Sequence, residues 1–184
     1  MTDEPKRQSK GRAIAPPEED PNVEAHGFAS PPCLMHEVDP AYFGAMPNDE
    51  LLVQLLNTLL EAERAGVRVT AAYGAEAADP AARTALREVG LDEARFCAML
   101  TRHVARLGGV ASKATGAFVD KALAVSGDAP RLDFLNRGQG WIVKRLKEAL
   151  PKIADAQLHA DLADMLDVHE RNIARCAGLG GGER

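Results

Sequence analysis

Four stretches of this chain repeat apolar residues three and four positions apart, and each is bounded by residues that start or stop a helix. Such spacing lines the apolar side chains along one face of an α-helix. The first stretch opens at Asn48 or Asp49, either of which caps a helix by accepting backbone N–H bonds, and runs to about Tyr73, before Gly74. Its stripe is Leu52, Leu55, Leu56, Leu59 and Val67. The second opens on Asp79-Pro80, a cap followed by a proline where the missing donor costs nothing, and closes at Gly108-Gly109. Leu86, Val89, Phe96, Leu100, Val104 and Leu107 form its stripe. The third runs from about Pro130 to Leu150 and is stopped by Pro151, with Leu132, Leu135, Ile142, Leu146 and Ala149 facing inward. The fourth runs from about Asp155 to Ala177 and ends at Gly178, with Leu158, Leu162, Met165, Leu166, Ile173 and Cys176 inward.

At about 1.5 Å per residue each stretch makes a helix of roughly 30–40 Å, a normal length for a bundle. The expected fold is therefore all-α, a four-helix bundle made of two helical hairpins. Hydrophobic residues are 46% of the chain and aromatics only 4%, which suits close helix packing better than sheets. The hairpins are joined by a longer connector from Val110 to about Pro130. It carries a short helix near Thr115–Val125 and is long enough to cross one end of the bundle. Residues 1–30, rich in proline and charge, read as a flexible tail. Residues 31–47 read as an extended N-terminal arm that docks through Leu34, Met35, Tyr42 and Phe43. The bundle takes residues 48–178, and 179–184 form a flexible C-terminus.

Composition narrows the function classes. A net charge of -5 supplies no basic excess to meet phosphates, so no nucleic-acid partner is expected. No apolar run approaches the roughly 20 residues that cross a bilayer, so no membrane partner is expected either. The polar start, MTDEPKRQSK, has no apolar signal core, and Cys33, Cys97 and Cys176 are too few and too scattered for a disulfide framework. Both observations point to a cytoplasmic protein with reduced thiols.

Each helical stripe is broken once by a polar residue: Glu63, Glu93, Gln139 and His169. Turned inward at one level, these side chains would meet. A buried polar network is one reading, in which they satisfy one another together with Asn172, and Arg145 or Arg68 neutralises a carboxylate. Such groups are tolerated only when paired, because an uncompensated buried charge costs several kcal/mol.

The patterns LLEAERAGVR, DEARFCAML and DVHERNIARC resemble the ferritin-like superfamily, and more narrowly its poorly characterised bacterial members. The resemblance covers about residues 48–177. It implies a four-helix bundle, whose di-iron members use a glutamate on each of two helices and a Glu-x-x-His pair on each of the other two. Glu63 matches the first-helix glutamate and Glu93 the second, but Phe96 stands where the second helix would offer histidine. Gln139 replaces a third-helix carboxylate. His169 has Leu166 rather than glutamate three residues before it. Two carboxylates and one histidine remain of six ligands, too few anionic oxygens to offset an iron pair. A single divalent ion (iron, manganese or zinc) on Glu63, Glu93 and His169, with Gln139 and Asn172 around it, is the second reading of the centre. Three protein ligands and an open position suffice for it.

Other features carry less. Cys33, His36, Glu37 and Asp39 in CLMHEVD hold two metal-ligand types but no second pair, and read as part of the docking arm. Cys97 has no histidine base beside it and reads as a small core residue. His103 reads as a capping or packing residue. In LNRGQGWIVKRL, Gly138 and Gly140 each cost about 1 kcal/mol against alanine, a cost that suggests close packing. Trp141 is a candidate anchor for a subunit contact or a pocket wall, and Arg137, Lys144, Arg145 and Lys147 make a solvated basic face. The expectation is a degenerate ferritin-like domain that binds or assembles, as a homodimer, with its small-molecule ligand unread. The alternative is a metal-dependent oxidase or oxygen-handling protein.

Overall fold

A computed structural model describes residue 46, residues 48–115 and residues 118–180. The tail placed over 1–30, nearly all of the 31–47 arm with its Cys33–His36 cluster, and residues 181–184 lie outside the described residues. Every regular element described is helical: α1 (Asp49–Glu76), α2 (Pro80–Arg106), α3 (Phe118–Leu123), α4 (Asp128–Ala149) and α5 (Ala156–Gly180). A 3₁₀ turn at Leu150–Lys152 separates α4 from α5. None of the described helices is long and apolar enough to cross a membrane.

The starts follow the sequence closely. The Asn48 side chain accepts from Leu51 N at 2.9 Å. That of Asp79 accepts from Ala81 N at 2.9 Å, with Pro80 in the first turn. Asp155 accepts from Leu158 N at 2.7 Å. Each satisfies a donor that the helix itself leaves unpaired. At the end of α2, Gly108 takes φ +72, which glycine adopts without a Cβ penalty, and donates to Ala105 O at 3.0 Å.

Three boundaries differ from expectation. Helix α1 passes through Gly74 to Glu76, because Gly74 keeps helical φ and lies against Leu86 of α2, where a small residue is useful. Helix α4 begins at Asp128, so Pro130 sits inside its first turn, where no N–H partner is needed, after Gly127 at φ +86. Helix α5 continues past Gly178 to Gly180.

Helix α1 packs on α2 and α4, and α5 packs on α4 and α2. The core falls into two apolar clusters. One contains Leu56, Leu59 and Leu60 of α1, Phe96 and Leu100 of α2, Ile142 and Leu146 of α4, and Leu158, Leu162 and Met165 of α5. The other contains Val69 and Tyr73 of α1, Leu86 and Val89 of α2, Leu132 and Leu135 of α4, and Cys176 of α5. Reading each helix from one cluster to the other fixes its direction: α1 and α5 run one way, α2 and α4 the opposite way. The chain must therefore return along the whole length of the helices between α2 and α4.

The connector makes that return, and it does not cross an end. It climbs α1: Asn57 Nδ2 donates to Val110 O (3.0 Å), Ser112 N donates to Asn57 Oδ1 (2.8 Å), and farther along the Tyr73 hydroxyl donates to Ala122 O (2.7 Å). The regular helical part is shorter than expected, only Phe118–Leu123. Val110 O and Ser112 N, which lie outside any helical ladder, take their partner from a side chain of α1.

Candidate functional site

The two apolar clusters are separated on every long helix by the same polar residue that interrupts its stripe. Glu63 follows Leu60, Glu93 follows Val89, Gln139 follows Leu135 and His169 follows Val168. The four are 1%, 3%, 2% and 1% exposed, so they face one another between two dry layers. They meet around a cavity of about 20 Å³, also lined by Gly66, Phe118, Gly138 and Ile142. That space admits one water or one small ion.

His169 is the hub. Its Nδ1 lies 3.1 Å from Gln139 Oε1, and its ring stacks on Phe96 at 5.6 Å between centroids and 29° between planes. Its Nε2 is 3.1 Å from Glu63 Oε1, close enough for the imidazole to draw the Glu63 carboxyl down against the effect of burial. Nδ1 facing the amide oxygen favours a proton on Nδ1, and leaves Nε2 turned toward the cavity and Glu63. Phe96 thus occupies the position where the resemblance would place a histidine, and supports the histidine of α5 instead.

The Glu93 carboxylate lies over the backbone of Gly66, and a Cβ at that position would collide with it. Gly66 stands three residues after Glu63, on the same face of α1. An interior glycine one turn from a stripe carboxylate is the sequence signal for this contact. Gly138 does the same for Phe118, whose ring edge would lie 2.7 Å from a Cβ there; Gly140 has open space around it, so close packing explains only the first of the pair.

Burial sets the electrostatics. Desolvation holds the Glu93 carboxyl well above the ordinary glutamate range, and the charges of Glu63 and Asp92 push it further in the same direction. Glu63 is also raised by burial; His169 opposes that shift and Asp92 adds to it. The centre therefore favours protonated carboxyls. Four atoms in it have no hydrogen-bond partner: Glu63 Oε2, Glu93 Oε2, Gln139 Nε2 and His169 Nε2.

Several expected partners sit elsewhere. Asn172 is 1% exposed but does not line the cavity; it donates to Asp92 Oδ2 at 3.1 Å and accepts from Arg175 at 2.9 Å. Its influence on the centre runs through Asp92, whose charge raises both glutamates. Arg145 stacks on Trp141 and pairs with Glu148 at 3.8 Å, and Arg68 is exposed, so neither neutralises a central carboxylate. Their long side chains point outward from helix faces that the stripe pattern had already made polar. Cys97 is half-buried, and burial with the Glu63 charge pushes its thiol up to about 11, so it stays protonated. His103 is buried and places Nε2 2.7 Å from Asp161 Oδ2, with Arg106 at 3.2 Å from its Nδ1. Arg106 continues to Asp155, tying the end of α2 to the start of α5. The His103 hydrogen bond holds Asp161 below the usual carboxylate range; the Leu158 N–H, then Arg106, do so for Asp155.

The residues present do not fit a di-iron centre. The missing ligands are filled by Phe96, Gln139 and Leu166, and among the described residues no three His, Cys, Asp or Glu side chains stand close enough together to hold a metal ion. Unpartnered carboxylate oxygens around a one-ion space are the only feature of the centre that fits a single cation.

Residues 49–178 match a protein family described as a domain of unknown function, DUF6306. No curated protein and no solved structure matches the chain significantly.

Proposed function

The chain belongs to the DUF6306 family, a domain of unknown function; from the arrangement of its helices and central side chains we propose that it is a ferritin-like four-helix bundle that acts by binding, not by turnover. Three observations support the kinship. The long helices alternate in the sense required by one lengthwise crossover between two hairpins, as ferritin-like folds have. Each long helix contributes one polar side chain to a common central layer. Two of the four are glutamates on α1 and α2, and one is a histidine on α5.

The observation that carries the binding reading is the size and closure of the centre. A site that turns over an organic substrate must admit it, and such sites occupy about 300–1,000 Å³. About 20 Å³ between four polar side chains each no more than 3% exposed, with the partly buried Phe118 also on its wall, admits nothing larger than water or an ion. The centre on this reading is a carboxyl–imidazole–amide network that holds protons and fixes the register of the four helices, the best-attested use of buried polar groups. The homodimer is part of the same proposal. It would form through a helix face that presents Leu91, 62% exposed, or Trp141, 41% exposed.

A second reading is favoured by the four unpartnered atoms. On it Glu63, Glu93 and His169 would draw closer together than they stand in this structure to hold one divalent ion, with Gln139 keeping the imidazole in place. A bound ion would supply positive charge to the two carboxylates and a Lewis-acid centre. Elemental analysis of protein purified without added metal separates the two readings. The network reading expects far less than one equivalent of iron, manganese or zinc, and no rise in Tm when these ions are added. About one equivalent, with a Tm rise abolished in Glu93→Gln, would overturn it.

A further inference from the structure

The outer side of the α1–α2 pair gathers positive charge that the centre does not use. Arg64 and Arg68 lie one helical turn apart on α1, and Lys113 reaches the same place from the connector. With Thr115, Val67 and Ala94 they line a cavity of about 290 Å³ whose walls contain no carboxylate. Among the described residues none of the three cations is ion-paired, as is also true of other arginines such as Arg87 and Arg102, so the distinction of the cluster is that its three charges share one pocket. The Nε of Arg64 is buried and has no hydrogen-bond acceptor. The acids nearest in the fold are committed elsewhere. Glu61, beyond Thr115, accepts from the Ser112 hydroxyl at 2.5 Å, while Glu63 and Glu93 face the centre.

A buried donor without an acceptor costs stability, and an anion in the pocket would give the Arg64 Nε its acceptor and meet the exposed charges of Arg68 and Lys113. In a chain of net charge -5 the cluster does not follow from composition. We propose that this pocket binds a small organic phosphate. The planar guanidinium of Arg64 matches two phosphate oxygens through its Nε side, Arg68 and Lys113 add charge, and the Thr115 hydroxyl adds a donor. The volume exceeds that of a bare phosphate, and the Val67–Ala94 wall gives the organic part an apolar surface. The proposal is independent of how the centre is read.

Isothermal titration of the full chain tests it, with ribose 5-phosphate and inorganic phosphate as probes and sodium chloride at matched ionic strength as the control. Ribose 5-phosphate should bind and raise Tm, inorganic phosphate should bind more weakly, and chloride should do neither. Lys113→Gln and Arg68→Gln change exposed side chains and should fold normally. Each should weaken ribose 5-phosphate about tenfold, the loss expected for one charge-assisted contact. No binding of either phosphate, or equal affinity in wild type and both variants, would overturn the site. Equal affinity for the two phosphates would overturn its assignment to an organic ligand.

Discussion

Replacing Glu93 by glutamine should stabilise the protein at neutral pH, and the gain should disappear on acidification. The carboxyl is 3% exposed, faces Glu63 and Asp92, and has an oxygen with no partner. Its folded-state pKa is raised, so the folded chain binds a proton more tightly than the unfolded chain does. Stability contributed by that proton is fully present below the unfolded pKa, near 4.5, and declines as pH rises toward the folded value. Glutamine has the shape of the protonated acid and does not titrate, so the variant avoids the decline. The difference removed is of the size of one unsatisfied buried polar group, about 1–3 kcal/mol. For a domain of this length that is a Tm rise of about 3–10 °C. Urea unfolding of wild type and Glu93→Gln after chelator dialysis, at pH 7.5 and at pH 4.5, reads the effect directly. The variant should lead at pH 7.5 and match wild type at pH 4.5. A variant that is less stable at pH 7.5, or a difference that does not change with pH, refutes the reasoning.

Three further outcomes follow from single contacts. Gly66→Ala gains about 1 kcal/mol of helix propensity but pushes a Cβ into the Glu93 carboxylate, so it should destabilise by about 1–2 kcal/mol net; in a Glu93→Ala background the same change should become stabilising, as a double-mutant cycle by urea unfolding would record. Tyr73→Phe removes one of two hydrogen bonds to the Ala122 carbonyl, which keeps the Val125 N–H, and should lose about 0.5–1.5 kcal/mol in the same assay. Asp155 and Asp161 have lowered folded pKa values, so their contribution is present above the unfolded value near 3.8 and is lost as pH falls below it. Acid unfolding followed by circular dichroism should therefore have a shallower slope below pH 4 in the Asp155→Asn/Asp161→Asn double variant than in wild type.

Local chemistry made much of the fold legible. Asn48, Asp79 and Asp155 cap helices because a short side-chain oxygen at that spot reaches only its own first turn, so no tertiary knowledge is needed. The level shared by Glu63, Glu93, Gln139 and His169 was legible for a related reason: each interrupts an apolar stripe, and the hairpin lengths bring the interruptions into line. What escaped the sequence depends on contacts between distant residues. The connector climbs α1 because Asn57, Glu61 and Tyr73 offer partners to Val110, Ser112 and Ala122, and no local pattern announces those pairs. Asn172 falls one step off the central level and meets Asp92, a flank residue that the stripe pattern treats as solvated. Gly66 takes its meaning from the Glu93 carboxylate laid over it from α2. The pocket of Arg64, Arg68 and Lys113 joins a helix to a loop some fifty residues away, so charge along the sequence gave no hint of it.

The account depends on a closed centre in which protons and one small guest satisfy two glutamates, an amide and an imidazole. Anomalous diffraction from crystals of protein purified without added metal probes that centre directly. The account predicts no anomalous peak of iron, manganese or zinc between Glu63, Glu93 and His169, and at most a single water-sized feature beside Gln139. A strong peak bonded to both carboxylates and to Nε2 of His169 would contradict it.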